Sequence, residues 1–329
     1  TKPSKEVINS MRSMGNEAIK AGKQIQSAGK TITSVGSTLT KAITVPIAGV
    51  ATAAVKTAAD FEAAMSEVGA ISGASAQDLA TLTAKAKEMG ATTSFSASES
   101  AEAMKYMAMA GWKTADMTAG IAGIMNLAAA AGEDLGTTSD IVTDGLTAFG
   151  MSAKESGRFA DVMAAASTNA NTNVTMLGES FKYCAATAGA MGYNIEDISV
   201  ALGVMANAGI KGSTAGTTLK NVIANMAKPT DAQAAVMQKL GISLTDSSGN
   251  MKSFAEVMNN LRTSFNGLSE TEKASYATTL AGKESMSGLL TIVNASAADF
   301  DKLTEAIKYC GSTLVYTQAA KYTAYAYNV

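Results

Sequence analysis

Two thiols and a few acidic and glycine-containing triplets are the residues whose types and spacing could do chemistry. Cys184 and Cys310 lie far apart and form no C-x-x-C, so a zinc ribbon, a redox dithiol and a disulfide scaffold are unsupported, and both read as inert, buried thiols. The 329 residues contain no His, which removes Ser-His-Asp and Cys-His nucleophiles, H-E-x-x-H zinc sites and a histidine pH switch in one step. Gly29-Lys30-Thr31 would close a phosphate-binding G-x-x-x-x-G-K-[ST] loop, but the leading position holds Gln24 and the segment follows no strand. Asp246-Ser-Ser-Gly-Asn250 lacks the spacing and closing glutamate of a calcium loop and reads as a turn. Asn173-Val-Thr175 and Asn294-Ala-Ser296 match a glycosylation acceptor, a triplet common by chance. Any two of the 28 acidic residues could meet in a groove for glycoside hydrolysis, yet the spacing singles out no pair. No catalytic residue, cofactor or metal is expected.

The elements that would position such residues are helices. Apolar residues make up 47% of the chain but aromatics only 5%, so the core is expected to be built from Ala, Val, Leu, Ile and the 19 Met. Only 3 Pro interrupt 329 residues, so long stretches carry nothing that forbids a helix. The 29 Gly, each costly inside a helix, need a structural reason.

One reason lies in the first sixty residues, where Gly15, Gly22, Gly29 and Gly36 recur every seventh position. Placing Met11, Ala18, Ile25, Ile32 and Leu39 at heptad position a puts Met14, Ala21, Ala28, Val35 and Ala42 at d, with the glycines beside the seam. The spacing predicts a coiled-coil-like helix over about 7–42, with Met11, Met14, Ala18, Ala21, Ile25, Ala28, Ile32, Val35 and Leu39 as its self-association seam; a lone amphipathic helix is the alternative. Residues 1–56 carry eight basic and two acidic side chains, a net +6 that leaves −8 for the remainder. A solvated face, an anionic surface or DNA would each suit such an arm, but the overall charge of −2 argues against specific nucleic-acid binding. The uncharged stretch 42–55 is shorter than the roughly 20 residues that span a bilayer and is expected to be a buried helix. No transmembrane span is expected. The chain opens at Thr1 without a readable signal peptide, and a fragment of a longer protein is expected.

From Phe61 onward the pattern is a succession of helices. Ser75 with Asp78, Ser152 with Glu155, Ser253 with Glu256 and Ser269 with Glu272 have capping-box spacing. Leu79, Leu82 and Ala86 form an apolar stripe, as do Ala101, Met104, Met107 and Ala108, and Ile121, Ile124, Met125 and Ala128. These predict core faces, with a methionine groove around Met104, Met107 and Met109 as the functional alternative. Period-two alternation at Ile242–Asp246, followed by Ser247-Ser-Gly-Asn250, predicts a small β-hairpin near 242–252 in an otherwise all-α fold. Pro229 marks an expected boundary, giving a basic arm and linker over 1–60, a compact multi-helix core over 61–229, a helical subdomain over 230–308 and a tyrosine-rich tail over 309–329. That tail holds five of the nine tyrosines and is expected to be poorly ordered or strand-forming.

Phe61-Glu-Ala-Ala-Met65-Ser66, Gly90-Ala-Thr-Thr-Ser-Phe95-Ser96, Ala110-Gly111, Leu127-Ala-Ala-Ala130, Ala148-Phe149-Gly150, Asp161 and Gly209-Ile-Lys-Gly-Ser213 with Gly216 resemble, in order, the core region of tape-measure proteins of tailed phages and prophages. The resemblance spans about Phe61 to Pro229, and the glycine-heptad helix with Pro46-Ile-Ala-Gly49 is similar to that family's lead-in. It implies a structural virion protein that sits in the tail lumen, sets tail length, scaffolds tube assembly and assists genome ejection. Implied partners are further copies of the chain, tail tube proteins, tail assembly chaperones and, transiently, the host membrane; assembly is implied in the host bacterial cytoplasm. Gly209, Gly212 and Gly216 are expected to serve a turn and a close helix approach rather than a ligand. Two other function classes stay open at this point: a membrane-active helical protein, and a fragment of a cell-wall lytic enzyme.

Overall fold

The computed structural model describes residues 57–310. The heptad seam from Met11 to Leu39, the stretch 42–55 and residues 311–329 of the tyrosine-rich tail lie outside the described residues. The chain divides between Ala63 and Ala64, and the architecture below is that of the second unit.

Helix after helix is started by a side chain that satisfies otherwise orphaned backbone N–H groups. Helix α1 covers 57–72. Ser75 opens α2 (Ala76–Thr92) and Ser96 opens α3 (Ala97–Met109), each through a reciprocal capping box. Then follow α4 (Thr114–Ala131), α5 (Leu135–Phe149) capped by Asp134, and α6 (Ser156–Asn169), which a 3₁₀ turn (Ala153–Glu155) introduces. Asn173 caps α7 (Val174–Ala190) and Asn194 caps α8 (Ile195–Asn207); α9 is Gly212–Ala227. The remaining helices are α10 (Asp231–Leu240), α11 (Phe254–Asn266), α12 (Glu270–Ala281), α13 (Met286–Asn294) and α14 (Ala297–Lys308). Of the four capping boxes expected from sequence, those at Ser75, Ser253 and Ser269 form reciprocally, and at Ser152 the Glu155 carboxylate accepts the Ser152 N–H at 2.9 Å without the return bond; the all-α class holds, with no strand among the described residues. The hairpin near 242–252 is present as a single antiparallel bridge, Thr245 to Met251, closed by Asp246 N–H on Asn250 O at 2.9 Å and Lys252 N–H on Leu244 O at 2.8 Å.

Helices two apart in sequence pack together. The most extensive contacts are α7 on α9, α4 on α6 and α5 on α7, so α3, α5, α7 and α9 form one row and α4, α6 and α8 another. This is an array of helical hairpins with a regular chain period. The first helix of each hairpin is entered from an N-cap at 75, 113, 152 and 194, that is 38, 39 and 42 residues apart. The second is entered from 96, 134, 173 and 211, at 38, 39 and 38 residues. Two residues before each first-helix cap stands a glycine in the left-handed region, Gly73, Gly111, Gly150 and Gly192, which reverses the chain into the next hairpin.

The core runs between the rows and is filled from equivalent positions. Leu82, Gly120, Phe159 and Ala201 stand at one place in the four first helices, and Ala86, Ile124, Met163 and Met205 at another. All eight are buried. In the second helices the matching set is Met104, Val142, Phe181 and Leu219. The stripes expected from sequence are thus core: Met104 and Met107 are fully enclosed, whereas Met109 is 63% exposed, so no methionine groove forms. Helices α11 to α14 close the far end of the array. Leu303 of α14 lies against Gly203 of α8, Asn225 Nδ2 donates to Leu280 O at 2.8 Å, and Asn221 Nδ2 to Ser285 Oγ at 2.9 Å.

Candidate functional site

Chemistry needs a reactive group that is both poised and reachable, and the two thiols are not reachable. Cys184 is wholly buried on α7, and burial pushes its thiol up to about 12, far from a nucleophilic thiolate. Cys310 is also buried. Among the described residues no three metal-ligating side chains cluster.

The buried and partly buried carboxylates have structural explanations. Asp197, buried near the start of α8, accepts the Ala255 N–H at 3.0 Å and so caps α11 from a distance of 58 residues in the chain. Burial raises the Asp140 carboxyl, as does neighbouring Asp144, while Lys182 opposes them. Asp161, partly buried on α6, is raised by burial alone. A carboxyl whose folded pKa lies above its unfolded value costs stability once the pH exceeds both, and the cost disappears as the pH falls through the folded value. Asp161→Asn is therefore expected to raise the melting temperature at neutral pH and to leave it unchanged near about pH 3. Paired thermal melts at the two pH values check this; an equal gain at both would mean that burial of charge is not the cause.

The glycines carried by the family resemblance are structural. Gly209, in the turn between α8 and α9, and Gly212, at the start of α9, have φ of 86° and 56°, where L side chains are strained. A Cβ at Gly216 would overlap the Ser180 carbonyl oxygen of α7. The Asp246 carboxylate accepts the Ser248 N–H at 2.8 Å and the Asn250 N–H at 2.9 Å, the turn expected of that segment.

What sequence reading did not bring together is a fork between hairpins. Arg158 of α6 donates through Nε to Glu196 Oε1 at 2.7 Å and through Nη2 to Glu196 Oε2 at 2.8 Å, with Glu155 Oε1 3.3 Å from Nη1. The partners lie 38 residues apart in sequence, on the first helices of successive hairpins, and only the stacking of the array makes them neighbours. The outer groove between α5 and α7, about 380 Å³, is walled by Ile141, Gly145, Gly178, Phe181 and Ala185, with Asp144 and Lys182 along it. Its charged lining is one acid and one amine. No helix of the described residues is long and apolar enough to cross a membrane.

The family model described as phage-related minor tail protein matches residues 83–282, a span that begins within the first hairpin and ends after α12. The chain is 39% identical over 266 residues to a tape measure protein of Pneumococcus phage Dp-1, an alignment covering 81% of this chain and 23% of that protein. It is 27% identical over 279 residues to a probable tape measure protein of Escherichia phage P2, covering 80% of this chain and 34% of that protein. The chain thus spans about 23% and 34% of the lengths of these two curated relatives. No solved structure matches it.

Proposed function

Because the chain belongs to the phage-related minor tail protein family, we propose that it is the helical core of a tail tape measure, a structural component of a phage tail and not an enzyme. The observation that carries this reading is the 39% identity to a tape measure protein over 81% of the chain, an alignment that takes in most of the hairpin array. In this role the protein occupies the tail lumen of the virion, sets tail length, scaffolds tube assembly and assists genome ejection, after assembling in the host cytoplasm. Its partners are tail tube proteins, tail assembly chaperones and further copies of itself. Self-association runs through the heptad seam of Met11, Met14, Ala18, Ala21, Ile25, Ala28, Ile32, Val35 and Leu39, where small residues at d and beside the seam allow close helix approach.

The working division is an arm over 1–60, a core over 61–229, a subdomain over 230–308 and a tail over 309–329; Pro229 in the link between α9 and α10 supports the middle boundary. Host-membrane contact is a secondary reading and is not favoured, since no described helix spans a bilayer.

Electron microscopy of tails tests the proposal. Inserting four heptads, about 28 residues, into the arm in the phage itself lengthens tails by about 42 Å if the arm is part of the ruler. Infectious tails of unchanged length would make the arm an anchor instead. Normal tails in a phage lacking this protein would remove the tail role altogether.

A further inference from the structure

In an array of hairpins each unit is held mainly by its neighbours, so the seams between units decide which end opens first. The four hairpins, which follow one another from 75, 113, 152 and 194, are joined by unequal seams.

Between the second and third hairpins α4 packs on α6 and α5 on α7, two of the most extensive contacts of the unit. The helices interlock there: a Cβ at Gly178 would come within 2.6 Å of Ile141 Cγ1, and the Phe159 ring occupies the space over Gly145. The third and fourth hairpins are joined by the α7–α9 contact and by the Arg158–Glu196 fork, and α11 to α14 close over α6, α8 and α9. The fourth hairpin accordingly buries nearly all of α8, from Ile195 to Ala206.

The first hairpin is held less extensively: α3 packs on α5, where the Tyr106 ring covers Gly136, and α2 on α4, but both contacts are smaller than those of the seam behind them. Helix α2 buries only Leu82, Ala86 and Met89. A shallow, open depression of about 530 Å³ lies beside α2, lined by Gln77, Ala80, Thr81, Ala84, Lys85 and Glu88 of α2 and by Thr118 of α4. The C-terminal helices make their extensive contacts elsewhere. On its other side, α1 buries Met65 and Val68 and sets Gly69 against Leu79 of α2, and it adds the exposed Glu67–Lys105 ion pair, which contributes little in water. The second hairpin cannot leave without breaking the more extensive seam behind it.

From this gradient we infer that the core is built to come apart in order from its N-terminal edge, the α2–α3 hairpin releasing first while the later hairpins remain folded. The covalent order of the chain delivers tension on residues 1–56 to this edge first. Use of that order for drawing the protein out of a narrow tube rests on the proposed tail role; the order itself does not.

Amide hydrogen exchange of the 329-residue chain across a urea series below the global transition tests it. Amides of α2 and α3 are expected to exchange through an opening at least about tenfold more populated than the one that exposes α7, α8 and α9. Leu82→Ala should widen that gap, increasing exchange in α2 and α3 and leaving α7 to α9 at their wild-type rates. One common opening for all these helices, or an equal loss of protection everywhere in Leu82→Ala, would overturn the inference. Because exchange is read on the isolated chain, its failure is distinct from failure of the tail-length experiment.

Discussion

Gly216→Ala is expected to destabilise the protein by about 1–3 kcal/mol, although alanine is the better helix former by about 1 kcal/mol. Gly216 lies within α9 where that helix crosses α7, and the added methyl would overlap the Ser180 carbonyl oxygen. A carbonyl inside a helical ladder cannot rotate away as a side chain can, so the backbones must separate along the most extensive helix contact in the unit. The Ser180 hydroxyl, which donates to Gly212 O at 2.9 Å, would move with them. Gly157→Ala is the matched control, because Gly157 is also helical but an added Cβ there meets nothing within 4 Å. It is expected to be stabilising by up to about 1 kcal/mol. Urea denaturation of both variants separates packing from propensity. Destabilisation of the same size in both would show that neither effect acts at its assigned position.

Helix type and helix starts were legible because they are local. Ser75, Ser152, Ser253 and Ser269 reach only three residues ahead, and the spacing to Asp78, Glu155, Glu256 and Glu272 survives any tertiary arrangement. The apolar stripes were legible for the same reason. The fourfold period was not, because the array repeats positions and not residue types. At the place held by Leu82 in the first hairpin stand Gly120, Phe159 and Ala201, whose volumes differ several-fold.

A signal was nonetheless present. Gly73-Ala-Ser75-Ala-Gln-Asp78, Gly111-Trp-Lys113-Thr-Ala-Asp116, Gly150-Met-Ser152-Ala-Lys-Glu155 and Gly192-Tyr-Asn194-Ile-Glu-Asp197 share a glycine, a cap position two residues on and an acid three further. Each glycine takes the left-handed turn and each acid lies in the first turn of the next element. Lys113 hides the pattern, since a search for capping side chains passes over it even though Asp116 still accepts its N–H at 3.3 Å. For function, the absence of His pointed away from the commonest catalytic arrangements, whereas contacts such as Arg158 with Glu196 depend on hairpin stacking.

The variation at the Leu82-equivalent position must be balanced by what faces it, and Phe159 gives the sharpest case. Its ring is fully buried, stands 6.0 Å from the Phe181 ring, and fills the space where a Cβ on Gly145 would sit. Phe159→Ala is expected to cost about 3–5 kcal/mol, the range for emptying a buried aromatic site. Gly145→Ala alone should cost about 1–3 kcal/mol by forcing a methyl into the ring. Combined, the second methyl enters space the ring has vacated, so the double variant should be more stable than the sum of single effects predicts, by about 0.5–3 kcal/mol of coupling. Three urea transitions beside wild type close the cycle. Strict additivity would mean that the backbone, and not the ring, sets the distance between α5 and α6, and that the large and small residues of this register are not matched to one another.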